Sequence, residues 1–125
     1  ETYEGLYDFL AATETTQESY RIATGYMQQA LWAKALERLN RAIKAGSVDA
    51  DIFNARGVVL TRLARHDEAF AMFEHAESFD PDRAGYRMNM AIVRHLQGRR
   101  HEAAVLYQQV VDMEPTYEGY LDLGP

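Results

Sequence analysis

The chain has 125 residues, with 19 acidic and 13 basic side chains, a net charge of −6 and no cysteine. The lack of cysteine excludes disulfides and thiolate chemistry, and the acidic balance argues against a nucleic-acid partner, because phosphate binding needs a basic surface. No run of about 20 apolar residues is present, so we expect no direct membrane insertion.

The localisation is left open by the sequence. There is no signal-peptide pattern, but the chain begins with Glu1 rather than methionine, so an upstream leader or domain is compatible with it. Cytoplasm and periplasm both fit a chain without cysteine.

The charges are unevenly distributed along the chain. Residues 1–20 hold five acids and no base, residues 21–100 hold nine acids and all 13 bases, and residues 101–125 hold five acids and no base. Solvated helix faces of different composition would explain this distribution. Alternatively, the acidic ends approach a basic middle, in the same chain or in a neighbouring protomer.

The first predicted element is a short helical arm over residues 1–15. Tyr3, Leu6, Tyr7 and Leu10 follow the i, i+3, i+4, i+7 spacing of one helical face. A helix this short is marginal alone and needs a surface to pack on. We expect it to cap the structure that follows, and the alternatives are an arm that lies in a groove or docks on another protomer.

Six longer helices are predicted in three pairs, over residues 17–29, 33–45, 51–63, 67–79, 86–96 and 100–113. Gly46 and Gly98 are placed to end helices in the left-handed conformation, and Asp67 is the expected N-cap of the fourth helix. Pro81 and Pro115 end the fourth and sixth helices, because proline cannot continue a helix.

The pairs are copies of one unit, because a shift of 34 residues superposes their small and bulky positions. The superposed sets are Ala23, Gly57 and Ala91; Tyr26, Leu60 and Arg94; Ala35, Ala69 and Ala103; Leu39, Phe73 and Tyr107; Ala42, Ala76 and Val110; and the terminators Ser47, Pro81 and Pro115. Small residues let two helices approach closely, and the bulky residues fill the holes beside them.

This pattern resembles the tetratricopeptide repeat, a helix–turn–helix unit of 34 residues. The resemblance implies an all-α fold, an α–α superhelix or tetratricopeptide-repeat solenoid, in one domain over residues 1–125. Its expected parts are an N-terminal helical arm (1–15), three repeats (16–49, 50–83 and 84–117) and a C-terminal capping segment (118–125). Arg94 departs from the pattern, since an aromatic is usual there. We expect either looser packing at Arg94 or a carboxylate that pairs with it.

The resemblance also implies a concave groove lined by the first helix of each repeat. The residues that it assigns to peptide binding are Tyr20, Arg21, Thr24, Met27, Asn54, Val58, Arg62, Met88, Asn89, Ile92 and His95, flanked on the same face by Gln17, Gln28, Asp51, Ala55, Thr61, Gly85 and Leu96. The apolar members would form a floor, the asparagines would bind a peptide backbone, and the basic side chains would hold a carboxylate. The alternative is that this face is only wetted scaffold and that the partner binds elsewhere.

One recognition mode of the family is absent from the sequence. Members that grip a chaperone's C-terminal carboxylate use Lys, Asn and Arg on three successive first helices. The matching positions here hold Tyr20, Thr24, Ala55, Gly85 and Asn89. A co-chaperone role of that kind is therefore not expected.

The sequence contains no pattern that indicates an enzyme. His101 and Glu102 begin like the zinc-protease motif, but Val105 stands where the second histidine would be needed. No nucleophile elbow or phosphate-binding glycine motif occurs. We therefore predict no catalytic residues, no metal site and no cofactor.

The function predicted from these observations is a non-catalytic protein–protein interaction module. It would bind a peptide segment of a partner protein in the groove, as an adaptor or assembly factor. A self-assembling homo-oligomeric scaffold that uses the N-terminal arm is the first alternative. A chaperone of secretion or pilus subunits, using the same groove, is the second.

Overall fold

The computed structural model describes residues 15–115, and this part of the chain is entirely helical outside its turns. Six helices follow one another: α1 (Thr16–Gln28), α2 (Trp32–Lys44), α3 (Ala50–Arg62), α4 (His66–Phe79), α5 (Ala84–Leu96) and α6 (Arg100–Met113). The predicted all-α solenoid is confirmed, and the predicted helix bounds agree to within two residues. The predicted arm, except Thr15, and the capping segment lie outside the described residues.

The helices stack in chain order. α1 packs on α2, α3 on α4 and α5 on α6, and the pairs are joined through α2–α3 and α4–α5 contacts. α1 also touches α3, and α3 touches α5. The first helices of the three pairs therefore stand side by side, and together they form one continuous face of the stack.

The turn inside each pair has the same geometry at the same position of the repeat. Ala30, Ala64 and Gly98 have φ values of 57°, 59° and 77°. The N–H of the residue that follows each of them donates to a carbonyl five residues earlier, as in the bond from Arg65 N to Leu60 O of 2.9 Å. This is the Schellman closure of a helix. The closing bond also fixes where the next helix begins, because its donor residue (Leu31, Arg65 or Arg99) is the N-cap of that next helix.

The start of α4 shows this consequence and corrects one prediction. Asp67 was expected as the N-cap, but α4 begins at His66, with Arg65 in the cap position and no side-chain cap bond. The Schellman turn leaves no residue between the helices for a separate cap. Thr15 does cap α1, since its Oγ1 accepts from Glu18 N at 3.1 Å, and Asp49 caps α3 through Asp51 N at 2.9 Å.

The core follows the small-and-bulky pattern of the repeat. Its fully buried side chains include Ala23, Ala35, Leu39, Leu60, Ala69, Phe73, Ala76, Ala91 and Val110. The predicted departure at Arg94 lies on α5, which also carries Tyr86 as a buried aromatic with Arg87 next to it.

Arg94 pairs with a carboxylate, which is one of the two outcomes expected from the sequence. Its Nε lies 3.1 Å from Glu102 Oε2 on α6, and its guanidinium lies 3.7 Å from the ring centroid of Phe70 on α4. The side chain is 15% exposed. Arg94 therefore fills the aromatic position by stacking its planar end on Phe70, so that three helices meet at one side chain.

Arg87 joins the same three helices at another level. Its Nε and Nη2 donate to the two carboxylate oxygens of Glu77 at 2.6 and 3.1 Å, and its Nη1 donates to Gln109 Oε1 at 2.6 Å. Donation of these hydrogen bonds to Glu77 raises the pKa of Arg87 above its ordinary value. Both arginines fix the position of α5, and with it one wall of the face formed by α1, α3 and α5.

Candidate peptide-binding groove

A cavity of about 470 Å³ opens between α3 and α5 on the face formed by the first helices. Its lining is Val58, Thr61, Arg62, Phe73, Asn89, Ile92 and Leu96. Four of the predicted binding residues, Val58, Arg62, Asn89 and Ile92, thus lie around one space. Helical spacing explains this, because residues three and four apart share a helix face and α3 and α5 turn equivalent faces to the same side.

Two asparagines bridge the helices beside this cavity. Asn89 Nδ2 on α5 donates to Asn54 Oδ1 on α3 at 2.9 Å, and both side chains are half-buried. Each amide has a further donor or acceptor beyond this bond. Asn54 Nδ2 and Asn89 Oδ1 take no part in this bond, and within residues 15–115 they have no hydrogen-bond partner. The pair therefore offers one donor and one acceptor side by side.

Arg62 is the cationic residue of the cavity lining. It is the last residue of α3, its side chain is exposed, and its Cζ lies 5.6 Å from the ring centroid of Trp32. Among residues 15–115 it has no carboxylate partner. The guanidinium is thus positioned by an aromatic face and remains available to an anion.

The predicted residues on α1 lie outside the α3–α5 cavity. Tyr20 and Arg21 border a separate depression, Thr24 Oγ1 donates to Arg21 O at 2.8 Å, and Met27 packs against the core. Burial raises the pKa of Tyr20 above its ordinary value, and the nearby carboxylates of Asp51 and Asp49 add to this effect. α1 therefore extends the groove without contributing to the cavity.

The acidic residue of the groove face is already paired. Arg83 Nη1 donates to Asp51 Oδ1 at 2.9 Å and to Tyr86 Oη at 3.3 Å. These bonds, the one to Tyr86 first and the one to Asp51 second, raise the pKa of Arg83 above its ordinary value. Asp51 is thus paired across the α3–α5 step, and it is not a free carboxylate that competes for Arg62.

Two predicted binding residues contribute less surface than their spacing implies. Met88 is 4% exposed and packs with Ala84 and Val110, so it belongs to the α5–α6 interface. His95 is exposed in the last turn of α5 but does not line the cavity. The position of Met88 is occupied by Asn54 in the second repeat and by Tyr20 in the first. Those two side chains are half-buried, whereas Met88 is buried.

One cavity residue was assigned by the sequence to packing alone. Phe73 lies on α4, is 1% exposed and forms part of the cavity wall. Gly57 is the sequence signal that could have found it, because a missing side chain on α3 lets the ring of Phe73 reach toward the groove. Thr61 and Leu96 complete the lining from flanking positions of the predicted face.

Neither a metal-binding cluster nor a membrane-spanning helix occurs within the described residues. No group of three or more His, Asp or Glu side chains there is placed to hold a metal ion. None of the helices formed by residues 15–115 is long and apolar enough to cross a membrane.

Comparison with known proteins finds no matching family model. The chain is 32% identical over 103 residues to mouse protein O-mannosyl-transferase TMTC1, and 28% identical over 103 residues to the human protein of the same name. Each match covers 78% of this chain, but 11% of the mouse protein and 12% of the human one. The chain thus spans about a tenth of the length of these relatives.

Solved structures share the fold more widely. A crystal structure of MamA matches with a TM-score of 0.77 and 22% identity, covering 82% of this chain and 60% of MamA. The Arabidopsis OM64 TPR domain matches with a TM-score of 0.77 and 18% identity, over 83% and 86% of the two chains. The first TPR of Spaghetti (RPAP3), bound to the HSP90 peptide SRMEEVD, matches with a TM-score of 0.78 and 16% identity, over 89% of each chain. At these identities the likeness concerns the fold.

Proposed function

We propose that this chain, which has the fold of three tandem tetratricopeptide repeats, is a non-catalytic module that binds a peptide segment of a partner protein. The peptide lies along the face formed by α1, α3 and α5. The observation that carries the proposal is the cavity between α3 and α5, with the Asn54–Asn89 pair at its side. An adaptor or assembly factor is the role that such a module would serve.

The chemistry of the asparagine pair suits an extended peptide. A peptide backbone presents a carbonyl acceptor and an N–H donor at each residue. Asn54 Nδ2 can donate to that carbonyl while Asn89 Oδ1 accepts from an N–H, so the two amides bind backbone without selecting a side chain. The apolar lining beside them, with Val58 and Ile92, supplies the burial that gives affinity.

The structural relatives support a peptide ligand, but the residues of this chain indicate that the peptide is anchored differently. The first TPR of Spaghetti (RPAP3) is bound to an HSP90 peptide. In the present chain the carboxylate-clamp positions hold Tyr20, Thr24, Ala55, Gly85 and Asn89, none of which is basic. The proposed ligand is therefore an internal segment held by backbone contacts and an apolar side chain, and not a terminal carboxylate in a clamp.

The proposal is tested by panning a phage-displayed peptide library against the chain and mapping the bound peptides by amide chemical shifts. Selected peptides are expected to shift resonances of α3 and α5. Replacing Asn54→Ala together with Asn89→Ala should weaken binding about tenfold or more, because two hydrogen bonds at about 1 kcal/mol each are lost. Helicity measured by circular dichroism should stay unchanged.

Asn40→Ala is the matched control. Asn40 Oδ1 on α2 accepts from Arg56 Nε of α3 at 2.6 Å, and its side chain is exposed. This substitution also removes an asparagine that bridges two helices, but outside the cavity lining, and it should leave peptide affinity unchanged. If no selected peptide depends on Asn54 and Asn89, the groove is not the binding surface.

A further inference from the structure

We propose that the groove selects one class of ligand, a segment of another protein in which a large apolar side chain lies next to a carboxylate. The apolar side chain enters the cavity between α3 and α5, and the carboxylate pairs with Arg62. This inference rests on the proposed function and names the chemistry of its ligand.

The cavity determines the apolar half of the ligand. Its volume of about 470 Å³ lies within the range of roughly 300–1,000 Å³ that is typical of ligand sites. Val58, Phe73, Ile92 and Leu96 supply apolar walls, and Leu96 is 55% exposed in the free chain. An aliphatic or aromatic side chain inserted there would cover Leu96 and remove apolar surface from water.

The charges of the neighbourhood determine the acidic half. Several other arginines have carboxylate partners: Arg83 with Asp51, Arg65 with Glu68, and Arg94 with Glu102. Arg62 differs from them, because among the described residues its neighbour is the Trp32 ring and not an acid. A cation oriented on an aromatic face at the edge of an apolar cavity favours an anionic ligand group.

The repeat shows that the fold does not require this charge. The positions equivalent to Arg62 hold Gln28 in the first repeat and Leu96 in the third. By contrast, the packing position at Ala69 holds alanine in all three repeats. The fold therefore accepts an uncharged residue at this position, so the charge of Arg62 is free to serve ligand recognition.

The test uses three fluorescein-labelled peptides of eight residues. The first has two central leucines flanked by glutamates, the second has glutamines in place of the glutamates, and the third has serines in place of the leucines. Fluorescence anisotropy with the full chain should show that the first peptide binds about tenfold more tightly than either of the others. Added salt should lower the affinity of the first peptide and leave the affinity of the second unchanged, because salt screens the ion pair.

Variants assign the preference to one side chain. Arg62→Gln should reduce the preference for glutamate over glutamine to about twofold or less, and Arg62→Lys should keep a preference for glutamate because it keeps the charge, although it loses the planar guanidinium. Arg100→Gln removes the same charge from an exposed arginine on α6 and should change nothing. Thermal unfolding of each variant shows whether the fold is intact, and Arg62→Lys keeps the test valid if Arg62→Gln does not fold.

Three results would overturn the inference. The first is that the glutamate–leucine peptide does not bind at about 1 mM. The second is that Arg62→Gln prefers the glutamate peptide over the glutamine peptide as strongly as the wild-type chain does. The third is self-association of the chain that Arg62→Gln abolishes, because the groove would then belong to a second copy. If library peptides still depend on Asn54 and Asn89 while Arg62 has no effect, this inference fails and the proposed function stands. If no peptide depends on the asparagines, the proposed function itself fails.

Discussion

The ring of Phe73 on α4 occupies the space that a side chain at residue 57 on α3 would need. A Cβ built on Gly57 would lie 2.5 Å from Phe73 Cε1 and 2.8 Å from Cδ1 and Cζ. Phe73 is 1% exposed and is held by the core on its other sides. This one contact sets the spacing of α3 and α4, and it also places the Phe73 ring in the cavity wall.

Gly57→Ala should therefore destabilise the chain. Overpacking costs roughly 1–3 kcal/mol, and the gain in helix propensity of about 1 kcal/mol offsets only part of it. A lower urea midpoint with an unchanged slope would show the loss. Gly25→Ala is the control, because no heavy atom lies within 4 Å of its Cβ position in α1. It should stabilise the chain by about 0.5–1 kcal/mol, and a stabilising Gly57→Ala would refute the contact.

Ala64 and Gly98 occupy equivalent turn positions, so exchanging alanine and glycine should change stability in opposite directions at the two sites. Ala64 and Gly98 both have positive φ, 59° and 77°. Since the left-handed conformation costs about 1 kcal/mol for a residue with a Cβ, Ala64→Gly should raise the free energy of unfolding by about 0.5–1 kcal/mol. Gly98→Ala should lower it by about 1 kcal/mol. Chemical denaturation measures both, and two changes of the same sign would contradict the shared geometry.

Arg94 is predicted to stabilise the fold by packing more than by charge. Its partner Glu102 is 56% exposed, so an ion pair with it contributes little, while its stem and guanidinium cover Phe70. Arg94→Leu, which introduces the residue found at position 60, should stay within about 1 kcal/mol of wild type. Arg94→Ala should cost about 2 kcal/mol, because it exposes the ring. Equal losses in the two variants would show that the charge matters most.

Alkaline pH should destabilise the chain through Tyr86, which is buried, and Tyr107, which is half-buried. Burial is the main cause that raises the pKa of Tyr86, and the sole cause for Tyr107, above the ordinary 10.0. The folded chain thus keeps these protons more tightly than the unfolded chain does. The resulting stability is fully present below about pH 10 and is lost as the pH rises through the folded values. Urea unfolding from pH 8 to pH 11 should show this decline, and Tyr107→Phe should make it shallower. An unchanged slope in Tyr107→Phe would contradict a role for that tyrosine.

The sequence by itself determined the fold and the face that the first helices of the repeats form. A period of 34 residues with small residues at Ala23, Gly57 and Ala91 permits few arrangements, because only close helix pairs bury such a pattern. The same period placed Val58 and Ile92 on one face of neighbouring helices. Their meeting around one cavity follows from helical spacing alone, and it needed no knowledge of side-chain contacts.

Only the tertiary structure decided what each residue on that face does. Periodicity gives the direction of a side chain but not what the next helix places against it. It therefore treated Met88 and Asn54 as equivalent, although packing between α5 and α6 buries Met88 and leaves Asn54 to bond with Asn89. Gly57 indicates a close approach of Phe73 to α3, but whether the ring reaches the cavity depends on the distance between α3 and α4. Contacts between residues far apart in sequence depend on the packing of whole helices, and they fix the chemistry of the groove.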